Sequence, residues 1–525
     1  MTVPRTTRTT RTARHTVVVD LGFGDAGKGG VVDALCAPGG PAARAGTRVP
    51  AVVRFNGGAQ AAHTVVLPDG RRHTFAQFGA GTFHGVPTLL SRQVLVDPLA
   101  LGAEAAALAG RGVVDPLGLV SADAAALLAT PWHAAVNRAR ERARGAGAHG
   151  SCGRGIGETV AFAAAHPEAA PRVADAAGSP ERLRRRLAVV ADWARATIAG
   201  LGLPCPPAEL PAVADVAAVY GTFARRVAVV DGEALLRRLL AAGPVVFEGA
   251  QGVLLDERYG FHPHVTRSTT TPRNALDLLA AAGVDAGDRD LVACWGVTRT
   301  YATRHGAGPL VTEDEALAPL LPEPDNGTGR WQGRFRLGYL DLVTLRYARE
   351  AAGRVDALAV THLDRLAALA AAGRLLLAPA WRSPAGDLLE RLPVAAEPDL
   401  PGQRRLTALV AGCRPVLVPA PADPAELAGL LATELAAPLA LTSSGATSRD
   451  KAWHPGASVD HHTGSTYVWA RTIGDVAWSR VPPMATARWS RACRSTPATG
   501  SVGDGSRPRP RSPTSPRSTS RRSPR

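Results

Sequence analysis

The chain has 525 residues, 46% hydrophobic and 20% charged, enough apolar material for a large packed core. Its formal charge of +15 sits at the ends: residues 1–14 carry four arginines and no acid, residues 461–525 carry twelve arginines against Asp475 and Asp504, and residues 15–460 are left near +1. A nearly neutral body argues against a nucleic-acid-binding surface, and no 18-residue apolar span argues for a membrane segment.

In chain order, residues 1–14 read as a disordered basic arm, followed by a buried strand at 16–20 (TVVVD), a glycine-rich turn and a helix opening near Val31. Further β-branched runs lie at 51–55, 92–97, 226–231, 244–249, 290–297, 355–361 and 438–443. Ala- and Leu-rich helical stretches at 101–110, 181–198, 233–242 and 274–282 alternate with them. This alternation predicts an α/β fold: a P-loop-containing unit over 15–451 with a central, largely parallel β-sheet and helical insertions. Residues 120–225 are expected to form a helix-rich cap or insertion. From 452 to 525 Ser, Pro, Arg and Thr dominate, a composition expected to stay disordered.

Six scattered cysteines with no CxxC pair predict reduced thiols in a cytoplasmic protein, with neither a zinc site nor a disulfide framework. Of the 60 basic residues only Lys28 and Lys451 are lysine. A chain this rich in arginine that keeps Lys28 needs a compact ammonium there.

Gly22-Phe-Gly-Asp-Ala-Gly27-Lys28 satisfies GxxxxGK between a strand and a helix, the context in which backbone N–H groups and a helix N-terminus cradle a triphosphate. The next residue is Gly29, where such loops usually place a Ser or Thr to hold magnesium. Asp25, inside the loop, is the candidate to take over that duty, since a hard cation prefers carboxylate oxygen.

LGFGDAGKGGVVDAL resembles the opening signature of the adenylosuccinate synthetase family, and RFNGGAQAAHTVV (54–66) resembles its second. GRGIG (153–157), FEGAQGVLLDERYGFHPHVT (247–266), GVTRTYATRHGAGPLVTE (296–313), GYLDLVTLRYA (338–348) and VTHLDRL (360–366) follow in order, so the similarity runs over roughly 16–450. The resemblance implies a homodimeric, cytoplasmic ligase. GTP would phosphorylate the 6-oxygen of IMP, and L-aspartate would displace that phosphate to give adenylosuccinate, with one magnesium ion per subunit. It makes Asp25 the base on the purine and a magnesium ligand together with the Ala62 carbonyl, His63 the general acid, and Lys28 a phosphate-handling catalytic group. It assigns GTP to Gly24, Gly27, Lys28, Gly29, Ala62, His63, Thr64, His362, Asp364, Ser443 and Gly445. IMP falls to Asp25, Cys152, Gln251 and Thr266, and aspartate to Arg334 and Arg336. The Asp364 carboxylate would read the N1 and N2 hydrogens of guanine.

Departures from the family pattern are local. Gly30 stands where a second lysine is usual, Gln60 and Ala62 replace Asn and Gly, and Cys152 replaces a phosphate-binding Thr. Arg267 follows Thr266 where Ser is usual, and His362 replaces a lysine that covers guanine. The aspartate loop loses a Thr-Thr pair and gains Trp331-Gln332, and the arginine that the family lends across its dimer has no clear equivalent near His166. Two other readings follow: the same chemistry on an IMP-like nucleotide or with another amino donor, or a non-catalytic guanine-nucleotide-binding regulator. Retention of both Asp25 and His63 argues against the last, because binding alone needs no acid/base pair.

Overall fold

In the computed structural model, which describes residues 14–203, 209–397 and 399–454 together with the strands Tyr467–Thr472 and Asp475–Arg480, the run TVVVD lies at the centre of a ten-stranded sheet. This first strand, β1 (His15–Asp20), is buried along its whole length. Its side chains alternate between two layers: Val18 joins the larger core, while Val17 and Val19 pack with the helix Arg273–Ala281. A strand covered on both faces reads as a continuous apolar run, as β1 does.

The chain then gives β2 (Val52–Arg54), the hairpin β3 (His63–Val66) and β4 (Arg72–Phe75), β5 (Thr88–Leu90) and β6 (Val120–Asp123). After the helical cap come β7 (Ala228–Val230), β8 (Val246–Glu248), β9 (Val292–Arg299), the hairpin β10 (Ala302–His305) and β11 (Phe335–Gly338), β12 (Ala357–Thr361), β13 (Leu439–Ser443) and β14 (Lys451–Trp453). The sheet order is β14-β13-β12-β9-β1-β8-β2-β5-β6-β7. Every pairing in it is parallel except β13 with β14. The predicted largely parallel α/β sheet is the one observed.

Helix α1 (Lys28–Cys36) leaves the β1 loop and packs back on the sheet. Between β6 and β7 the described residues include four long helices, α2 (Pro131–Arg144), α3 (Ile156–Ala165), α4 (Pro180–Gly200) and α5 (Val213–Arg226), and a short one at Val173–Ala177. In α4 the buried Leu183, Leu187, Val190, Ala191, Ala194 and Ile198 recur at helical spacing, and Ser179 with Pro180 starts the helix. Beyond β11, helix α6 (Leu342–Ala351) packs on a small sheet formed by Leu376–Arg382 with Arg414–Pro419. The expected run at 92–97 shrinks to Leu95–Val96 because Asp97 caps a helix that starts at Pro98.

The sheet extends through Trp453, just past the boundary at 451. Within 452–525 the strands Tyr467–Thr472 and Asp475–Arg480 pair antiparallel; the rest of that segment, and residues 1–13, lie outside the described residues. No helix among the described residues is long and apolar enough to cross a membrane. Because the sheet is parallel, the loops after β1, β2, β8, β9, β12 and β13 open at the same, carboxyl edge, where folds of this class place their ligands.

Candidate active site

The β1 loop is built around a buried carboxylate. Asp20, the last residue of the strand, accepts from Gly22 N at 2.8 Å, Ala26 N at 2.9 Å and Lys28 Nζ at 3.1 Å. Lys28 also donates to the Gln251 carbonyl at 2.6 Å, which ties the loop to the turn after β8. Gly27, at φ 93, turns the chain into α1, whose N-terminus has no side-chain cap and so keeps its first N–H groups free for an anion.

Gly29 explains why this loop lacks the usual hydroxyl. A Cβ there would come within 3.0 Å of both the carbonyl carbon and Cβ of His63, and 3.1 Å of the Thr64 carbonyl oxygen. Close packing of β3 on α1 admits a side chain at 29 only if β3 gives way by a few tenths of an ångström, and the same packing brings His63 against the loop.

His63 is buried, and its Nδ1 lies 2.5 Å from Glu248 Oε1; the other Glu248 oxygen accepts from Ala80 N at 2.9 Å. Burial lowers the His63 imidazole most, Glu248 raises it, Arg54 and Lys28 lower it again, and the balance lies below the ordinary histidine value. The Glu248 carboxyl, raised by burial, is brought below its ordinary value by Arg54 and His63. This carboxylate fixes the ring and leaves Nε2 as the atom free for chemistry.

Asp25 stands at the loop tip with φ 60. His305 Nε2 approaches its Oδ2 at 3.3 Å, and Arg299 donates to its carbonyl at 2.8 Å. Burial raises the Asp25 carboxyl, but His305, then Lys28 and Arg299, outweigh it and keep the group ionised below the usual carboxylate range. His305 is raised in return by Asp25 against its own burial. The β10–β11 hairpin sets this pair: His305 faces Phe335 in register, with ring centroids 4.7 Å apart.

Gln251 also adopts a left-handed backbone, φ 59, and both atoms of its amide are buried without a hydrogen-bond partner among the described residues, as are those of Gln60. His362 has φ 61 and is pushed well below its ordinary value by burial and then by nearby arginines. Three of the five non-glycine residues with positive φ among the described ones, Asp25, Gln251 and His362, are thus residues singled out from the sequence. Strain of this kind concentrates at functional sites.

On the β12 side, Thr361 donates to the Ala26 carbonyl at 2.7 Å and lies 3.4 Å from where a Gly27 Cβ would be, so the segment carrying His362 and Asp364 abuts the loop. Asp364 is exposed and pairs with Arg365 at 3.2 Å. Ser443 donates to the Gly445 carbonyl at 3.1 Å. Thr64 shares its hydroxyl with Thr74 across the β3–β4 hairpin, and Ala62 is exposed in the coil just before β3.

The loop that the resemblance assigns to aspartate is internally paired. Arg336 donates to Glu313 and to the Gly308 carbonyl, both at 2.6 Å, and Arg334 pairs with Glu315 and, at 3.1 Å, with Glu313. Gly329 and Gly333 close a tight turn whose Trp331 packs against Gly153, beside Cys152. Thr266 donates its N–H to the Leu255 carbonyl at 2.9 Å, and a Cβ on Gly157 at the start of α3 would meet Arg267 at 3.6 Å. Arg304, almost wholly buried, donates to the carbonyls of Ala307, Pro309 and His264 and covers the Phe23 ring, so it binds the β1 loop to this side. Asp20, Glu248, His305 and Arg299 were not singled out from the sequence. Glu248 stands inside one quoted motif, and Arg299 and His305 inside another, GVTRTYATRHGAGPLVTE, but nothing local marked them out from their neighbours.

A family model described as adenylosuccinate synthetase matches residues 17–396. The adenylosuccinate synthetase of Alkalilimnicola ehrlichii is 35% identical over 357 residues, 67% of this chain and 78% of that protein. That of Colwellia psychrerythraea is 32% identical over 387 residues, 73% of this chain and 84% of that protein. Among solved structures, fully ligated adenylosuccinate synthetase from Plasmodium falciparum superposes with a TM-score of 0.68 at 20% identity, covering 84% of this chain and all of that one.

Proposed function

The chain belongs to the adenylosuccinate synthetase family, and from that premise we propose that it joins L-aspartate to the 6-position of IMP at the expense of GTP, through a 6-phosphoryl intermediate, in the AMP branch of purine biosynthesis. The observation that carries this reading is the meeting of two carboxylate–histidine pairs at the loop that carries Lys28: Asp25, within the loop, with His305, and His63, against Gly29, with Glu248.

The lactam of IMP is a poor nucleophile until its N1 proton leaves. Asp25, ionised and with Oδ1 unshared among the described residues, is the group to take that proton as O6 attacks the γ-phosphorus. The bond from γ-phosphorus to the β–γ bridging oxygen breaks, and GDP departs. His63 Nε2 and the Lys28 ammonium face the phosphoryl oxygens on which charge builds. In the free protein His63 is held below its ordinary value, so the anionic triphosphate itself favours the protonated, acidic form. In the second step the aspartate amine attacks C6, the C6–O6 bond breaks and the 6-phosphate leaves with a proton from His63, while the proton lost by the attacking nitrogen passes to solvent. Glu248 keeps the ring aimed throughout.

A magnesium ion would be held by the Asp25 carboxylate and the carbonyl of the exposed residue Ala62, with phosphate oxygens supplying most of the shell; no cluster of three His, Cys, Asp or Glu groups exists among the described residues to form a cage of its own. Bound there, magnesium would neutralise phosphate charge. Guanine is assigned to Asp364 with the Ser443–Gly445 wall, and the IMP phosphate end to Thr266 and Cys152. Arg334 and Arg336 are the carboxylate clamp, exchanging Glu313 and Glu315 for substrate. Trp331 on Gly153 favours a second reading of this one subsite, in which the amino donor is not aspartate. A homodimer in the cytoplasm is the expected state.

Asp25→Ala and His63→Ala should each abolish phosphate release that needs GTP, IMP and aspartate together; Asp25→Ala should unfold near the wild-type temperature, whereas His63→Ala should unfold earlier because it leaves Glu248 buried and unpaired. Wild-type turnover in either variant would sink the assignment of roles, and turnover with another amino acid only would replace aspartate.

A further inference from the structure

The chain's other lysine is carried by the fold to the same loop as Lys28. Lys451 opens β14, opposite Ser443, beyond the residues that the family model matches. Its Nζ donates to the Gly445 carbonyl at 2.7 Å, an oxygen that also accepts from Ser443. On its other side, a Cβ built on Gly30 in the first turn of α1 would lie 3.7 Å from both Cε and Nζ of Lys451. The ammonium therefore lies in van der Waals contact with the place a Cβ at position 30 would take.

An ammonium carries three donors, and the Gly445 carbonyl is the one partner of Lys451 among the described residues. Burial pushes this group below its ordinary value, with Asp450, Asp33 and Asp364 acting against that. The two remaining donors of this half-buried cation, between the proposed guanine wall and the uncapped start of α1, are open to an anionic acceptor. In a chain that uses arginine almost everywhere, the gap between Gly30 and Gly445 has kept the compact cation.

We propose that Lys451 is a binding residue for the donor nucleotide, reaching the phosphate nearest its nucleoside from β14, on the base side of Lys28. This rests on the reading that GTP occupies the loop. Lys28 and Lys451 then hold the triphosphate from two ends, one from the loop itself and one from the edge of the sheet.

Calorimetric titration of the full chain with guanosine, GMP and GDP tests it, using wild type, Lys451→Met and the double variant Gly30→Lys/Lys451→Met. Loss of one charge-assisted hydrogen bond to phosphate should weaken GMP and GDP binding roughly ten- to hundredfold and raise the KM for GTP in step. Guanosine binding and the KM for IMP should stay within about twofold, the range expected of a contact not made. The double variant, which returns a lysine to the same gap from α1, should regain most of the loss. Equal affinity of wild type and Lys451→Met for GMP overturns the proposal. So does equal weakening of guanosine, or failure of the double variant to recover, because either assigns Lys451 to the Gly445 wall. If Lys451→Met unfolds early, Lys451→Gln carries the same comparison. Wild type that binds guanine nucleotides but makes no adenylosuccinate would count against the proposed function and leave the Lys451 comparison intact.

Discussion

Replacing Gly29 by alanine tests the contact on which the site's geometry depends, because two effects of opposite sign compete. In an open helix, Gly→Ala stabilises by about 0.5–1 kcal/mol, since alanine loses less backbone freedom. Here the new Cβ would sit 3.0 Å from His63 and 3.1 Å from the Thr64 carbonyl, closer than carbon and oxygen tolerate. His63 cannot simply withdraw, because Glu248 holds its ring at 2.5 Å and β4 holds its strand. Overpacking of this kind costs about 1–3 kcal/mol, which outweighs the helix gain. A shift of His63 by a few tenths of an ångström should also cost roughly tenfold in kcat, given that about 1 Å of misplacement costs a hundredfold. Thermal unfolding and GTP-dependent phosphate release at saturating substrate measure the two together. A variant more stable than wild type with unchanged kcat would refute the packing of β3 on α1 and the reason given for the missing hydroxyl.

Asp20→Asn should destabilise by about 3–5 kcal/mol, because it removes the buried carboxylate that pairs with Lys28; chemical denaturation would show it, and a loss under about 1 kcal/mol would contradict the loop architecture. His133, wholly buried beside Phe162 and Trp193, is pushed down to about 3 by burial. Its neutral form is the one folded, so stability is retained above the ordinary histidine value near 6.5 and falls as pH drops towards 3. Between pH 7 and pH 5 this group alone should remove about 2 kcal/mol. His133→Gln should flatten that part of the profile, and a slope equal to wild type would contradict the assignment.

How much of this was legible follows from where each signal lives. β1, its loop and α1 could be read because an apolar run, glycines and a lone lysine lie within 21 residues, His15 to Leu35, and each has a local cause. The strands at 244–249, 290–297 and 355–361 came out nearly in place, as buried parallel strands must be apolar throughout. Thr88–Leu90 went unread: three residues after Pro87 carry no periodicity. Within the site, Lys28, Asp25, His63 and Gln251 were marked by motif. Their partners were not singled out, although Glu248 and His305 lie inside quoted motifs. Asp20 looks like any strand-end aspartate, and His305 meets Asp25 only because the β10–β11 hairpin folds over the loop. Lys451 stood out by its rarity, but nothing in the sequence could pair it with Gly30. The altered loop at Trp331 was visible, whereas the capture of Arg334 and Arg336 by Glu313 and Glu315 was a matter of tertiary contact.

The most direct measurement is a reaction of the purified full-length chain with GTP, magnesium, IMP and L-aspartate, following all products by chromatography. Adenylosuccinate, GDP and phosphate should appear in equal amounts, with no GDP formed when IMP is omitted. GDP released without IMP, or no adenylosuccinate at all, would contradict the central claim that Asp25 and His63 act together on one purine at this loop.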